Sequence, residues 1–358
     1  MNPQCTHTRS MSIESTPSVT QMARVGLGTW AGVQADCPRD GPNRTCILAR
    51  SRRLAHSRGN RMLAVVLAMT TATSSRSALQ QLQLPRIGLG MAALGRPGYI
   101  NLGHSSDIAD RSVEAMREQA HATLDAAYEA GIRYIDCARS YGLSEDFVAS
   151  WLAARPEAAH AVTVGSKWGY EYTAAWRVQV GEGESHEVKQ LTVAQLTRQL
   201  EETKEQLPGV ALYQIHSASL EVLQDEAVLA ALGRLRDSGV TVGLSVSHPQ
   251  PPTIEAAIAV RVGGKPLFGA VQATFNLLDP SCGAALQRAH EAGMFVIVKE
   301  AVANGRLVQG APQLLREEAE ARGVGVDALS MAWVLSHPWV GLCLSGASTP
   351  EQAQQQQQ

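Results

Sequence analysis

The chain has 358 residues, of which 45% are hydrophobic and 18% are charged, a composition typical of globular proteins. Its formal net charge of −2 gives no indication of a nucleic-acid partner. The 6 cysteines are scattered without a Cys-x-x-Cys pair, which argues against a disulfide scaffold, against a zinc site and for a reducing compartment.

The first part of the chain differs in composition from the rest. Residues 1–84 contain ten arginines, no lysine and three acidic residues, and they are rich in serine, threonine and alanine. This composition is typical of a transit peptide, and the apolar segment "MLAVVLAMTTA" from Met62 is too short to span a membrane. Two interpretations stay open: an organellar address, chloroplast or similar, or a disordered extension of a cytoplasmic protein. We predict an extension over 1–84, a folded domain over 85–353 and a glutamine tail over 354–358.

From Pro85 onward, short apolar runs alternate with segments of helical periodicity. "PRIGLGMAALG" predicts the first strand, and "SVEAMREQAHATLDAAYEAG" predicts a helix that Gly131 ends. "IRYIDCARSYG" predicts a second strand with its loop, and "LSEDFVASWLAAR" a helix that ends before Pro156. "AVTVGSKWG" predicts a third strand, and "HEVKQLTVAQLTRQLEETKEQL" a long amphipathic helix. Five further strands, each with helical segments around it, are predicted at "VALYQIHS", "VTVGLSVS", "FGAVQATFN", "MFVIVKE" and "VGLCLSGA".

These strands are almost continuously apolar, which is typical of parallel sheets that are covered on both faces. Two α/β folds fit the alternation: a (β/α)8 TIM barrel and an open doubly wound sheet. Eight strand–helix units favour the barrel, because that fold typically takes about 250 residues. No Gly-x-Gly-x-x-Gly follows the first strand, so a Rossmann dinucleotide site is not indicated.

Polar residues gather at the ends of the predicted strands, where a (β/α) barrel carries its active site. Asp136 and Tyr141 follow strand two, Lys167 ends strand three and His216 ends strand four. Each residue alone has an ordinary explanation, such as packing, helix capping or contact with solvent. Together, from three successive strands, they predict one shared site. Other strand ends carry Ser245, Ser247, Gln272, Asn276, Lys299 and Glu300.

One chemistry fits these four residue types. A phenol has a pKa of about 10, and a nearby ammonium group lowers it. A carboxylate can hold the ammonium in place, and a neutral imidazole can orient a substrate carbonyl. The set therefore predicts a proton donor for a carbonyl oxygen. Reduction also needs a hydride, which no side chain supplies, so a nicotinamide cofactor is implied.

From Pro85 to about Gln352 the chain resembles the aldo-keto reductase superfamily. "YIDCARSYG" is similar to the family's D-x-A-x-x-Y, with Asp136 and Tyr141 at the matching positions, and "GSKWG" resembles its lysine segment. "ALYQIHS" resembles D-L-Y-x-x-H, although Ala211 stands where an acid is usual. Segments similar to those that hold the nicotinamide and phosphates are "VGLSVS", "VQATFNLL", "VIVKEAVANGRL" and "SGASTPEQ".

The resemblance implies a (β/α)8 barrel that binds NADPH in an extended pose without a Rossmann fold. It implies Tyr141 as the acid–base group, tuned by Lys167 and Asp136, with His216 positioning the carbonyl. The insert "PGYINLGH" and the aromatic residues Trp168 and Trp176 are expected to shape the substrate pocket, or the tryptophans to pack at its rim. The implied cofactor contacts are Ser245, Gln272, Lys299, Gly346, Ala347, Ser348, Thr349 and Gln352.

The sequence departs from the family pattern in two places. Thr349 stands where an arginine for the 2′-phosphate of NADP is common, although backbone donors at the next helix could replace it. NADP is the expected cofactor, and NAD stays open. The chain closes on "EQAQQQQQ", which predicts low complexity rather than the family's last helix, so a barrel truncated before its last helix and C-terminal loop is expected.

The expected function is reduction of an aldehyde, ketone or sugar carbonyl, or the reverse oxidation. An alternative from another class is a weakly catalytic NADPH-binding regulatory subunit. The expected partner is a small carbonyl or alcohol substrate; no nucleic acid, membrane span or metal is predicted, and the oligomeric state stays open. Arg139 and Ser140, between the proposed acid and phenol, are expected to make rim contacts only.

Overall fold

The computed structural model describes residues 78–98 and 110–356, and residues 1–77 of the predicted targeting extension lie outside these ranges. In chain order the strands are β1 (Ile87–Gly90), β2 (Tyr134–Asp136), β3 (Thr163–Trp168), β4 (Tyr170–Tyr172), β5 (Glu187–Lys189), β6 (Leu212–Ala218), β7 (Thr241–Val246), β8 (Arg261–Val262), β9 (Lys265–Pro266), β10 (Ala270–Thr274), β11 (Phe295–Lys299) and β12 (Leu342–Ser345). The pairs β4–β5 and β8–β9 form antiparallel hairpins.

The other eight strands close into a parallel barrel in the order β1-β12-β11-β10-β7-β6-β3-β2. The predicted (β/α)8 barrel is therefore confirmed against the open sheet. The helices are α1 (Ala78–Gln81), α2 (Val113–Glu129), α3 (Ser144–Ala154), α4 (Pro156–Ala161), α5 (Val193–Gln206), α6 (Glu226–Asp237), α7 (Gln250–Ala259), α8 (Gly283–Glu291), α9 (Arg306–Gln309), α10 (Gln313–Arg322), α11 (Val326–Leu335) and α12 (Pro350–Gln355).

Helix α5 is shorter than the sequence pattern predicts. Its N-cap is Thr192, whose hydroxyl accepts from the Gln195 N–H at 3.2 Å. The segment "HEVK", expected to begin this helix, instead contributes Glu187–Lys189 to the hairpin with β4. The prediction was wrong there because pairing between β4 and β5 outweighs the local helical pattern.

The core has two parts. Inside the barrel, apolar side chains such as Tyr134, Leu212 and Ile297 pack together, and a larger cluster fills the space between strands and helices. Leu79 of α1 is 1% exposed and packs against the interior residues. Residues 78–84, which we predicted as the end of the extension, therefore include a side chain that covers the apolar interior of the barrel.

The C-terminal helix α12 packs against α2. Its N-cap is Thr349, and Ala353 is fully buried. The first two residues of the predicted glutamine tail, Gln354 and Gln355, continue this helix, because the cap and the buried alanine anchor the turn that they extend. In the described parts of the chain, no helix has the length and apolarity needed to cross a membrane.

Candidate active site

A cavity of about 580 Å³ opens where the barrel strands end. Because all eight strands run in parallel, their C-terminal ends meet around one mouth, and the predicted polar residues converge there. Nine of the predicted site residues line the wall: Asp136, Tyr141, His216, Ser245, Gln272, Lys299, Gly346, Ser348 and Gln352.

A buried ion pair lies beneath this cavity. The side chains of Lys167 and Asp136 are 0% and 3% exposed, and the Lys167 ammonium binds the carboxylate directly. Lys167 Nζ also donates to the Cys137 carbonyl oxygen at 2.9 Å. Asp136 Oδ1 accepts from Gln272 Nε2 at 3.0 Å. The carboxylate therefore has hydrogen-bond donors from neighbouring and distant strands, as a buried charge requires.

Tyr141 lies in the loop after β2, above the ion pair. Lys167 Nζ is 4.8 Å from the centroid of the Tyr141 ring. Burial, and then the charge of Asp136, raise the pKa of the Tyr141 hydroxyl well above its ordinary value of 10.0, although Arg96 opposes the shift. We expected Lys167 to lower this pKa; burial of the phenol, and then the Asp136 carboxylate, which repels a phenolate, act in the opposite direction. Tyr141 therefore keeps its proton at neutral pH.

His216 packs beside Tyr141 in the cavity wall. The two rings meet edge to face with their centroids 5.4 Å apart. His216 lies in a stretch of β6 where the register shifts between Ile215 and Ala218, and Ser217 there has a φ of 52°. Such a bulge redirects side chains at a barrel rim. Burial, and then the charge of Lys167, lower the pKa of His216 well below 6.5, so its imidazole is neutral at physiological pH.

Ser140 contacts this histidine. Its hydroxyl oxygen lies 3.3 Å from His216 Nδ1, and the serine is fully buried. The expectation of a simple rim contact was therefore wrong for Ser140. The sequence carried no signal for this contact, because 76 residues separate the two positions.

Arg139 anchors the same loop from the outside of the barrel. Its Nη1 donates to Glu145 Oε2 and its Nη2 to Glu202 Oε2, both at 2.6 Å. Glu145 also accepts from Ser166 Oγ and from Thr203 Oγ1. Arg139 is therefore part of a network that ties the loop carrying Tyr141 to α3, β3 and α5, which is more than the expected rim contact.

The two carboxylates that bind Arg139 differ in exposure, which gives a matched stability test. Glu145 is 2% exposed and Glu202 is 32% exposed. We expect Glu145→Gln to lower the free energy of unfolding by about 1–3 kcal/mol, because it leaves a buried network incompletely satisfied. Glu202→Gln should cost about 0–1 kcal/mol. Urea denaturation measures both, and equal costs would contradict a buried anchoring role for Glu145.

Arg96 and Glu187 line the cavity beside Tyr141 and were not predicted. Arg96 Nη1 donates to Glu187 Oε2 at 2.9 Å and to the Ser140 carbonyl oxygen at 3.1 Å. The sequence did not predict this pair, because Glu187 lies in the segment that was predicted to be helical. Glu300 and Asn304, in the loop after β11, also line the cavity.

The predicted cofactor contacts fall into two groups. Ser245 Oγ accepts from the Ser217 N–H at 2.8 Å, and Lys299 Nζ donates to Thr274 Oγ1 at 2.8 Å and to Glu300 Oε1 at 2.9 Å. Ser245, Lys299 and Glu300 line the cavity wall.

After β12 ends, the polar groups of the chain form hydrogen bonds with one another. Gln352 Oε1 accepts from the Ser348 N–H at 2.9 Å, and Thr349 Oγ1 accepts from the Gln352 N–H at 3.3 Å. The Gln352 N–H, one of the backbone donors at the helix N-terminus, is therefore engaged within the helix cap. Ala347 is buried, and neither it nor Thr349 belongs to the cavity wall in the described part of the chain.

The two tryptophans take part in packing. Trp168 is fully buried in the core, so the expectation that it shapes the pocket was wrong. Trp176 packs edge to face on Phe147, and its Nε1 donates to the Arg111 carbonyl oxygen at 2.7 Å. Most of the insert "PGYINLGH" lies outside the described residues. Among residues 78–98 and 110–356, no cluster of His, Cys, Asp and Glu could hold a metal ion.

The closed barrel and its polar cluster define the class: a (β/α)8-barrel protein with titratable side chains gathered at the mouth of the barrel. Residues 86–358 match the model of the Aldo/keto reductase family. The chain therefore belongs to this family of oxidoreductases. No curated protein matches the chain.

Solved structures resemble the barrel at low sequence identity. The holo form of an aldo-keto reductase from Bacillus halodurans is 21% identical, with a TM-score of 0.56 over 76% of this chain and 86% of that one. An aldo-keto reductase from Klebsiella pneumoniae in complex with NADPH is 21% identical, with a TM-score of 0.56 over 76% and 84%. A Klebsiella pneumoniae aldo/keto reductase in complex with NADP and acetate is 22% identical, with a TM-score of 0.55 over 76% and 85%. These likenesses support the fold.

Proposed function

We propose that the chain is an NADP-dependent oxidoreductase that reduces an aldehyde, ketone or sugar carbonyl, or catalyses the reverse oxidation, with Tyr141 as the proton donor. The observation that carries the proposal is the buried pair of Lys167 and Asp136 directly beneath Tyr141 and His216. A buried ion pair is a weak source of stability. Its place under two cavity-facing rings with shifted pKa values favours a catalytic role.

The proton chemistry follows from these environments. The raised pKa of Tyr141 keeps the proton on the phenol until the substrate oxygen gains negative charge. Lys167, 4.8 Å from the ring centroid, then stabilises the phenolate that forms. The neutral imidazole of His216 donates a hydrogen bond to the same oxygen from Nε2. Donation by the Ser140 hydroxyl to Nδ1 would select this tautomer.

The residues at the cavity fit a nicotinamide dinucleotide. When bound, NADPH would supply the hydride for the carbonyl carbon. We propose that Ser245 and Gln272 hold the nicotinamide carboxamide, for which Gln272 has its Oε1 as acceptor because its Nε2 is bound to Asp136. Lys299 is the cation along the wall that suits the pyrophosphate. The adenosine end would meet Gly346, Ser348 and Gln352.

The choice of NADP is supported by family membership and by the Klebsiella pneumoniae proteins crystallised with NADP and NADPH. NAD remains the alternative, because the wall residues from Leu344 to Gln356 include no lysine or arginine among those described. Ala347 and Thr349 would contribute through the shape of the turn rather than through direct contact.

The test measures consumption of NADPH and NADH at 340 nm with a panel of aldehydes, ketones and sugars. We expect turnover with at least one carbonyl class, and a higher kcat/KM with NADPH than with NADH. Isothermal titration calorimetry measures cofactor binding in parallel. Tight binding of NADPH without turnover across the panel would overturn the catalytic proposal and favour a regulatory binding protein.

A further inference from the structure

An ion pair stands beside the proposed proton donor. The side chains of Arg96 and Glu187 are 12% and 28% exposed and both line the cavity. The guanidinium carbon of Arg96 lies 5.7 Å from the centroid of the Tyr141 ring. A substrate whose carbonyl oxygen meets Tyr141 would therefore bring its neighbouring carbons close to this pair.

Two close approaches of backbone fix Arg96 in this place. The Leu143 N–H donates to the Gly95 carbonyl oxygen at 2.8 Å, which joins the loop after β1 to the loop after β2. A Cβ atom at Gly95 would overlap the Tyr141 carbonyl oxygen, and one at Gly142 would overlap the Gly95 carbonyl oxygen. The contact therefore needs glycine on both sides. Arg96 also donates to the Ser140 carbonyl oxygen at 3.1 Å.

Glu187 is held from the opposite side. It begins β5 and pairs with Tyr172 of β4, and its carboxylate accepts from Arg96 Nη1 at 2.9 Å. Both members of the pair thus stand on backbone that is anchored by hydrogen bonds. A partly buried and anchored pair is a fixed feature of the pocket, in contrast to the mobile ion pairs of an open surface.

The charges of the pair suit three classes of carbonyl compound to different degrees. An apolar chain would cover both charges and offer them no hydrogen bond, which is costly. An anionic group would be attracted by Arg96 and repelled by Glu187, because the carboxylate already neutralises the guanidinium. A hydroxyl group can donate to the carboxylate and accept from the guanidinium at the same time.

We infer that the Arg96–Glu187 pair selects substrates that carry hydroxyl groups on the carbons next to the reacting carbonyl. The substrate class is that of hydroxyaldehydes and hydroxyketones, in preference to apolar and anionic carbonyl compounds. This inference rests on the proposed function and specifies its substrate.

The test uses three aldehydes of four carbons each: erythrose, butanal and succinic semialdehyde. For the unaltered protein with NADPH, we expect kcat/KM for erythrose to exceed the values for the other two by about 10- to 100-fold, the range that charge-assisted hydrogen bonds supply. Glu187→Gln should remove most of the preference for erythrose over butanal. It should also raise kcat/KM for succinic semialdehyde, because the Glu187 carboxylate then no longer repels the anionic end of this substrate.

The matched control is Glu184→Gln. Glu184 lies in the same connection between β4 and β5, is 50% exposed and pairs with Arg177. This variant should keep the substrate ratios of the unaltered protein. Turnover of butanal as fast as erythrose, with ratios that Glu187→Gln leaves unchanged, would overturn the inference and leave the proposed function standing. No turnover with any of the three aldehydes, or with the wider carbonyl panel, would overturn both.

Discussion

Tyr141→Phe is expected to lower kcat/KM for carbonyl reduction by about 10²- to 10⁴-fold, the range that general acid catalysis supplies. The substitution removes the hydroxyl proton and keeps the ring that packs edge to face on His216. NADPH binding, measured by isothermal titration calorimetry, should stay close to that of the unaltered protein. The loss should therefore fall on kcat more than on KM.

The chain offers a matched control for this substitution. Tyr170 also meets His216 edge to face, with ring centroids 5.0 Å apart, yet it is not among the described residues that line the cavity. Tyr170→Phe should retain most of the activity. Similar rates for the Tyr141→Phe variant and the unaltered protein would show that the proton comes from another group.

Lys167→Met is expected to lower the free energy of unfolding by about 3–5 kcal/mol, because it leaves the Asp136 carboxylate buried without its cation. Asp136 would keep its hydrogen bond from Gln272 Nε2, which offsets little of the lost charge interaction. Activity should fall as well, since no ammonium would remain near the Tyr141 ring. Urea denaturation followed by circular dichroism measures the stability change.

The double variant Asp136→Asn/Lys167→Met separates the two effects. Replacing both members of a buried ion pair by neutral groups is often tolerated, so the double variant should be more stable than Lys167→Met. Its activity should stay low, because the cation is still absent. A double variant less stable than the single one would contradict the claim that an unpaired carboxylate causes the loss.

Tyr141 shows how much of the chemistry of the site could be predicted from residue types alone. The types Asp, Tyr, Lys and His predict a proton donor, and that set does converge at one mouth of the barrel. Residue types alone did not give the direction of the pKa shift, because burial of the ring, and then the charge of Asp136, raise the pKa of Tyr141. The burial of the ring and the charges around it both depend on the three-dimensional structure.

Much of the fold could be predicted from local patterns. Continuous apolar runs such as "VTVGLSVS" predicted buried parallel strands, and Gly131 predicted the end of α2, where its φ is 97°. These signals are local because hydrophobic periodicity and backbone conformation depend on residues that are near one another in the chain. The positions of Asp136, Lys167 and His216 at strand ends followed from the same patterns.

Other features depended on contacts between distant segments. Glu187 reached the cavity through hairpin pairing, Ser140 meets a histidine 76 residues away, and Leu79 covers a barrel interior built by strands that follow it. By itself, the sequence determined the alternation of strands and helices and the residue types at the strand ends. Only the tertiary structure decided which charges face each other around Tyr141, because that depends on the closure of the barrel and on the approach of its loops.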